Sequence, residues 1–152
     1  MSEDGPADIS MAFWPDVRAI EGAANVVGPL AERYKLAIVT NATVSKRPEI
    51  IRALERVGLA KFFSEIFCYT EIGRRKSEPE FWGFVLARLD AKADEALVVG
   101  DSLEQDVLGP MRCGIQAVWF NWKTPLAQIP PGCTAIHKLS DLPSALELER
   151  GE

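Results

Sequence analysis

Five polar side chains stand at or after apolar runs in an order that suits chemistry on an anionic group. Thr40 closes the run LAIVT and is followed by Asn41, Lys76 lies in the loop GRRKSEPEFW, and Asp101 and Asp106 follow ALVVG. A hydroxyl and an amide can hold oxygens, an ammonium can offset negative charge, and two carboxylates can hold a divalent cation. Phosphate fits that set well. Singly, each residue also has a plainer reading. Thr40 can be a strand-end residue, Lys76 beside Arg74 and Arg75 a solvated basic loop, Asp101 and Ser102 the capping region of a helix, and Asp106 an ordinary first-turn acid. The joint pattern favours a site. In an open α/β sheet, ligands bind beyond the carboxyl ends of the strands, where Thr40, Lys76 and Asp101 are expected to converge.

The elements that must position them alternate. Short β-branched runs are separated by longer amphipathic stretches, which predicts an α/β fold, a Rossmann-like parallel sheet flanked by helices. The strands are expected at Leu36 to Thr40, Ile66 to Tyr69, Ala96 to Val99, Gln116 to Phe120 and Thr134 to His137. Their near-continuous hydrophobicity suits a sheet covered on both faces. Ser45 is the expected N-cap of a helix that has Pro48 in its first turn, Ile51, Leu54 and Val57 on one face, and Gly58 as its left-handed stop. Further helices are expected from about Pro79 to Leu89, from Gln105 to Cys113 ending at Gly114, and from Ser140 and Asp141 to about Leu148. Gly28-Pro29 should kink or break the stretch Ala23 to Tyr34. Residues 1–12 read as a mobile tail, with Ile9 to Phe13 as a possible edge strand, and Trp122 to Cys133 as a proline-rich excursion.

Composition sets limits on partners. The chain has 152 residues, 47% of them hydrophobic and 26% charged, as in one globular core domain spanning 1–152. A net charge of −5 argues against a nucleic-acid or anionic-membrane footprint. The absence of a long apolar run and of a basic-then-apolar leader points to a cytoplasmic protein. Cys68, Cys113 and Cys133 are widely spaced and read as reduced packing thiols. His137 and the tryptophans Trp14, Trp82, Trp119 and Trp122 read as structural, with Trp14 and Trp122 partly exposed.

Taken together, LAIVTN, KSEPEFW, and GDSLEQD followed by Gly114 and VWFN resemble the haloacid dehalogenase superfamily, in the subfamily with a small helical cap between its first and second motifs. The resemblance runs from Gly22 through nearly the whole chain. It implies that Thr40 binds the transferring phosphoryl group with Asn41 following it, that Lys76 is the third-motif lysine, and that Asp101 ligates Mg²⁺. Asp106 would be the second acid, which supports the metal through water or holds the lysine. Ser77 replaces the family's usual proline, which should loosen that turn.

The family's first motif, D-x-D followed closely by Thr or Val at the end of a hydrophobic strand, has no match before Thr40. Asp4, Asp8 and Asp16 are the only aspartates there. The nucleophile and the general acid/base are therefore unassigned, and Phe13 to Glu21 resembles the return from the cap into the core. The expected cofactor is Mg²⁺, held weakly or not at all by Asp101 and Asp106 alone. The central strand that carries the motif is missing too. Its gap is expected to be closed by direct pairing of the flanking strands, by Ile9 to Phe13, or by a homodimer mate or partner chain.

The resulting expectation is a core similar to Mg²⁺-dependent phosphatases of small phosphorylated molecules, inactive or incomplete as this chain. The alternatives are a non-catalytic binding module and a half-enzyme completed by a partner. The GDS string resembles phosphatases more than true dehalogenases, and acids that come last disfavour a receiver domain.

Overall fold

Two short apolar runs pair first: Ala37–Thr40 (β1) and Glu65–Cys68 (β2) lie parallel, in register from Ala37 opposite Glu65 to Thr40 opposite Cys68. The crossover between them carries the helix Arg47–Arg56, which buries Ala53 and Leu54. The computed structural model describes residues 8–149, and they divide into two compact units, Met1–Gly73 and Arg74–Glu152.

In the first unit, the helix Ala23–Arg33 (α1) precedes β1, Arg47–Arg56 is α2, and a single turn Tyr69–Ile72 (α3) follows β2. The break expected at Gly28-Pro29 does not occur, because α1 runs on with Pro29 inside it. A proline removes its own N–H from the ladder and crowds the carbonyl four residues back, yet the turns on either side remain bonded, from Val26 N–H to the Gly22 carbonyl (3.2 Å) and from Tyr34 N–H to the Leu30 carbonyl (2.8 Å). The N-cap of α2 is Lys46, one residue later than expected. Glu49 reaches back to accept from the Lys46 N–H at 2.6 Å. The Ser45 hydroxyl is committed elsewhere, to the Ser10 hydroxyl at 2.9 Å.

That contact also corrects the expectation for the N-terminus. Residues 1–7 lie outside the described residues, but Ser10 and Ala12 are buried. Met11–Phe13 is a 3₁₀ turn capped by Ser10 rather than an edge strand. Arg56 of α2 donates to the carbonyls of Ala12 (3.1 Å), Trp14 (2.6 Å) and Pro15 (3.2 Å), and the Trp14 indole donates to the Ile9 carbonyl at 3.0 Å. With its carbonyls taken by a guanidinium, this segment forms no ladder.

In the second unit, Leu97–Gly100 (β3), Gln116–Phe120 (β4) and Thr134–Ile136 (β5) form a parallel sheet in that order. Pro79–Leu89 (α4) buries Phe81, Trp82 and Val85 and closes at Asp90, the one non-glycine residue described with positive φ (51°). Between β3 and β4 the expected α-helix takes another form. It starts as a π-helical stretch, Leu103–Leu108, and continues as Gly109–Arg112 (α5). Pro110 cannot donate an N–H, and its ring crowds the carbonyl four residues back. A widened turn relieves both problems. Leu142–Glu149 (α6) follows β5.

Among the described residues β1 is hydrogen-bonded only to β2, and β3 only to β4. Ile9 to Phe13 contributes no strand to either sheet, and Val99 of β3 is 37% exposed. The core of the second unit holds Val107, Ala117 and Trp119, with Leu103, Met111 and Ala135 packed against them. Val107 is fully buried. Val107→Ala should therefore cost about 2 kcal/mol, two buried carbons plus part of a cavity. The check is the denaturant midpoint, which an exposed or collapsible position would leave unchanged.

Candidate active site

Asp106 is the pivot of the second unit. The backbone of the π-helical stretch sets it, with Asp106 N–H donating to the Ser102 carbonyl at 2.8 Å. Its carboxylate turns back over the end of β3. There Oδ2 accepts from Ser102 N–H at 3.0 Å and Oδ1 from Lys76 Nζ at 2.5 Å. Only 12% of the Lys76 side chain and 6% of the Asp106 side chain are exposed. Burial of this kind penalises either charge alone, and the short charge-assisted bond offsets the penalty.

Gly100 makes the arrangement possible. A Cβ at this position would lie 2.3 Å from the Asp106 carboxyl carbon and 2.3 Å from Oδ2, closer than any real contact. The glycine that ends β3 is thus a socket for the carboxylate. Ser102 adds a cap, its hydroxyl accepting from Gln105 N–H at 3.4 Å.

The loop that delivers Lys76 is closed by Glu78, whose carboxylate accepts from Arg75 N–H at 2.6 Å and from the Arg74 guanidinium at 3.1 Å. The Glu78 N–H in turn donates to the Arg75 carbonyl at 2.9 Å. The Arg75 backbone bond, and then Arg74, hold the Glu78 carboxyl below its usual range. The looser turn expected from Ser77 is thereby braced from the next residue.

Asp101 is in the same unit but in a different setting. It is exposed at the end of β3, while its main-chain carbonyl accepts from the Trp119 indole at 3.1 Å. The expected metal pair is therefore divided. Asp106 has both oxygens engaged by Lys76 and Ser102, the lysine-holding role the resemblance allowed, and Asp101 is the exposed acid. No group of three His, Cys, Asp or Glu side chains that could hold a metal occurs among the described residues.

Thr40 and Asn41 lie in the first unit, at the carboxyl end of β1. The Thr40 hydroxyl accepts from Ala42 N–H at 3.1 Å, which tightens the turn there. Downstream, the Thr70 hydroxyl donates to the Ser45 carbonyl at 3.0 Å. Arg47 donates to the Ile66 carbonyl at 2.7 Å and binds Glu71 at 2.8 Å, and this side-chain bond lowers the Glu71 carboxyl from its usual range. The structure thus brings Lys76 and Asp106 together and places Asp101 beside them in sequence, with Thr40 described in its own unit. Sequence reasoning missed Gly100 and Glu78, and its reading of Ser102 as part of a helix cap is what the structure shows. The Gly preceding Asp101 and the acid two residues after Lys76 were visible signals for the two missed residues.

The sequence profile of the haloacid dehalogenase-like hydrolases matches residues 9–120. The chain belongs to that family. It is 31% identical to the Bacillus subtilis protein YfnB over 133 residues, which is 86% of this chain and 55% of YfnB. It is 32% identical over 140 residues to the glyceraldehyde 3-phosphate phosphatase of Pyrococcus abyssi, 89% of this chain and 58% of the relative. The chain spans about half the length of these curated relatives. Among solved structures, an uncharacterized protein from Listeria monocytogenes serotype 4b matches with TM-score 0.81 and 25% identity, covering 94% of this chain and 87% of the other. A magnesium-bound structure of YfnB matches with TM-score 0.72 and 30% identity, covering 84% and 55%. As a haloacid dehalogenase-like hydrolase, the chain shares the α/β parallel-sheet fold of these neighbours.

Two outcomes follow from the site. Gly100→Ala should expel the Asp106 carboxylate, break the Lys76 bond and cost about 3 kcal/mol, as expected for overpacking plus a broken buried pair. Denaturation of the variant checks this, and a cost below about 0.5 kcal/mol would show that the socket is not needed. The loop clamp should be sensitive to acid. Because the folded loop binds the Glu78 carboxylate, its stabilisation is present above the ordinary glutamate value of about 4.3 and is lost as pH falls through the depressed folded value. NMR titration of the Glu78 carboxyl carbon should give a midpoint below that value, and a midpoint at or above it contradicts the clamp.

Proposed function

We propose that this chain is the phosphate-handling part of a magnesium-dependent phosphatase acting on small phosphorylated molecules. The observation that carries the reading is the buried Lys76–Asp106 pair at the end of β3, with Asp101 exposed beside it in sequence. Membership of the haloacid dehalogenase-like hydrolases and similarity to a glyceraldehyde 3-phosphate phosphatase support it. In this reading Lys76 supplies positive charge for phosphate oxygens and Asp106 holds it in place, while the roles of Thr40 and Asn41 as hydroxyl and amide partners rest on the family resemblance alone.

Residues 1–152 contain no D-x-D string ahead of Thr40. The reading therefore places the nucleophilic carboxylate on a strand outside this sequence, either on a longer form of the polypeptide or on a partner chain. The one-sided pairing of β1 and of β3 is in keeping with this. Covalent catalysis by such a carboxylate is a large part of what an enzyme must supply, since phosphate-monoester hydrolysis needs accelerations of up to ~10²¹-fold. The lysine and acids present here do not replace it. Magnesium, which the family generally uses and which the YfnB structure holds, belongs to the completed site. Here Asp101 would contribute one carboxylate to it.

No helix of the described residues is long and apolar enough to cross a membrane, and the reading places the protein in the cytoplasm, without nucleic-acid or membrane partners. A non-catalytic binding module is the second reading, favoured by Asp106 being fully committed to Lys76 and Ser102.

The test is Mg²⁺-dependent hydrolysis of p-nitrophenyl phosphate and glyceraldehyde 3-phosphate. The 152-residue chain alone should give background turnover that Asp101→Asn leaves unchanged. Joined to, or mixed with, a strand carrying DxDx[TV], it should gain activity that Asp101→Asn abolishes. Robust turnover by the chain alone, abolished by Asp101→Asn, would overturn the incompleteness. Failure of the strand to confer any turnover would favour the binding module.

A further inference from the structure

Lys76 is held from both ends, and one helical element sees both contacts. At its head, Nζ meets Asp106 Oδ1 at 2.5 Å within the π-helical stretch. At its root, the main-chain carbonyl accepts from the Trp82 indole N–H at 2.6 Å. The same carbonyl lies against Gly109, where a Cβ would come within 2.9 Å of it. Gly109 follows Asp106 by three residues, and its N–H bonds to the Glu104 carbonyl, the i to i−5 bond that makes this turn π-helical. The distance from Lys76 carbonyl to Lys76 ammonium is therefore gauged against a single widened turn.

Trp82 suits the role of fixing that gauge. It is 1% exposed, set edge-on to Phe81 with ring centroids 5.2 Å apart. A buried indole N–H requires an acceptor, and the acceptor here is the carbonyl of the residue that carries the site's ammonium. A tryptophan serving only the core would have no need of that particular partner.

We infer that Trp82 and Gly109 are positioning residues for Lys76: the indole pulls the Lys76 carbonyl into a space that only glycine leaves open, and this sets where the ammonium arrives. The functional weight of the inference rests on the proposed phosphate-binding role of Lys76. The geometric part does not.

The full chain, labelled with ¹⁵N-lysine, provides the test. The Lys76 ammonium resonance is assigned by its absence from Lys76→Arg, and the exchange of its hydrogens with water is measured. Trp82→Phe keeps the apolar packing and removes the donor, and Gly109→Ala crowds the same carbonyl at 2.9 Å, with the Glu104 carbonyl at 3.1 Å. Both should speed ammonium exchange about tenfold, the scale of one buried hydrogen bond lost. Val85→Ala, on the same helix and facing the core without touching Lys76 in this network, should lower stability and leave the exchange at the wild-type rate. Wild-type exchange in both Trp82→Phe and Gly109→Ala overturns the inference, as does equal acceleration in Val85→Ala. If one of the first two variants fails to fold, the other decides. A parallel titration with orthophosphate separates the two proposals. If the wild-type Lys76 resonance does not move, the phosphate reading fails while the positioning result stands.

Discussion

An ammonium with 12% of its side chain exposed needs a counter-charge, and most of the second unit is arranged to provide one. Asp106 must reach back across the end of β3, so β3 must end in glycine. The carboxylate must be fixed as well as near, so the Ser102 N–H takes its second oxygen. Lys76 must arrive from a loop, and that loop is closed on itself by Glu78 before α4 begins. Each requirement is local, and each falls on a residue within a few positions of the pair. This is why the motif strings are compact in the sequence.

The first unit answers a different need. The end of β1 carries Thr40, and the segment after it is tied down by Ser45, whose hydroxyl meets Ser10 and whose carbonyl meets Thr70. Arg56 gathers the carbonyls of the segment around Met11–Phe13, and Arg47 ties the start of α2 to β2 and α3. Two arginines on one short helix thus brace the connections on both sides of it. These are backbone carbonyls satisfied by guanidinium donors, which is how irregular segments avoid orphaned polar groups when they pack against a helix.

The strands were the legible part of the fold, because each is written as a near-uninterrupted apolar run. Gln116–Phe120 was placed to the residue, and the others lay within one or two positions. Helix α4 was placed from Pro79 to Leu89 for a similar reason, with proline at its first turn and helical spacing behind it. The misses fall where one residue serves two masters. Ser45 looks like a cap, yet its hydroxyl is claimed by a residue 35 positions away. Pro29 looks like a break, yet it costs one bond in an otherwise intact helix. Pro110 does change its helix, and a widened turn is not distinguishable from an α-turn by apolar spacing. The residues of the site were legible as types and order, and the holding of Lys76 by Asp106 was one of two roles the resemblance allowed; Gly100 and Glu78 were not legible, because they act through backbone approach and loop closure.

The division of labour between the two acids follows from burial. Asp106 sits in a glycine socket beneath Ser102, where an unpaired carboxylate would be costly, so its charge is committed to Lys76. Asp101 remains exposed at the surface. Had both paired with Lys76, the site would have no carboxylate left to present. Five residues of separation, placed across the start of a π-helical turn, direct one acid inward and leave the other exposed. A single lysine–aspartate pair thus fixes the geometry at the end of β3 and leaves Asp101 as the exposed acid beside it in sequence.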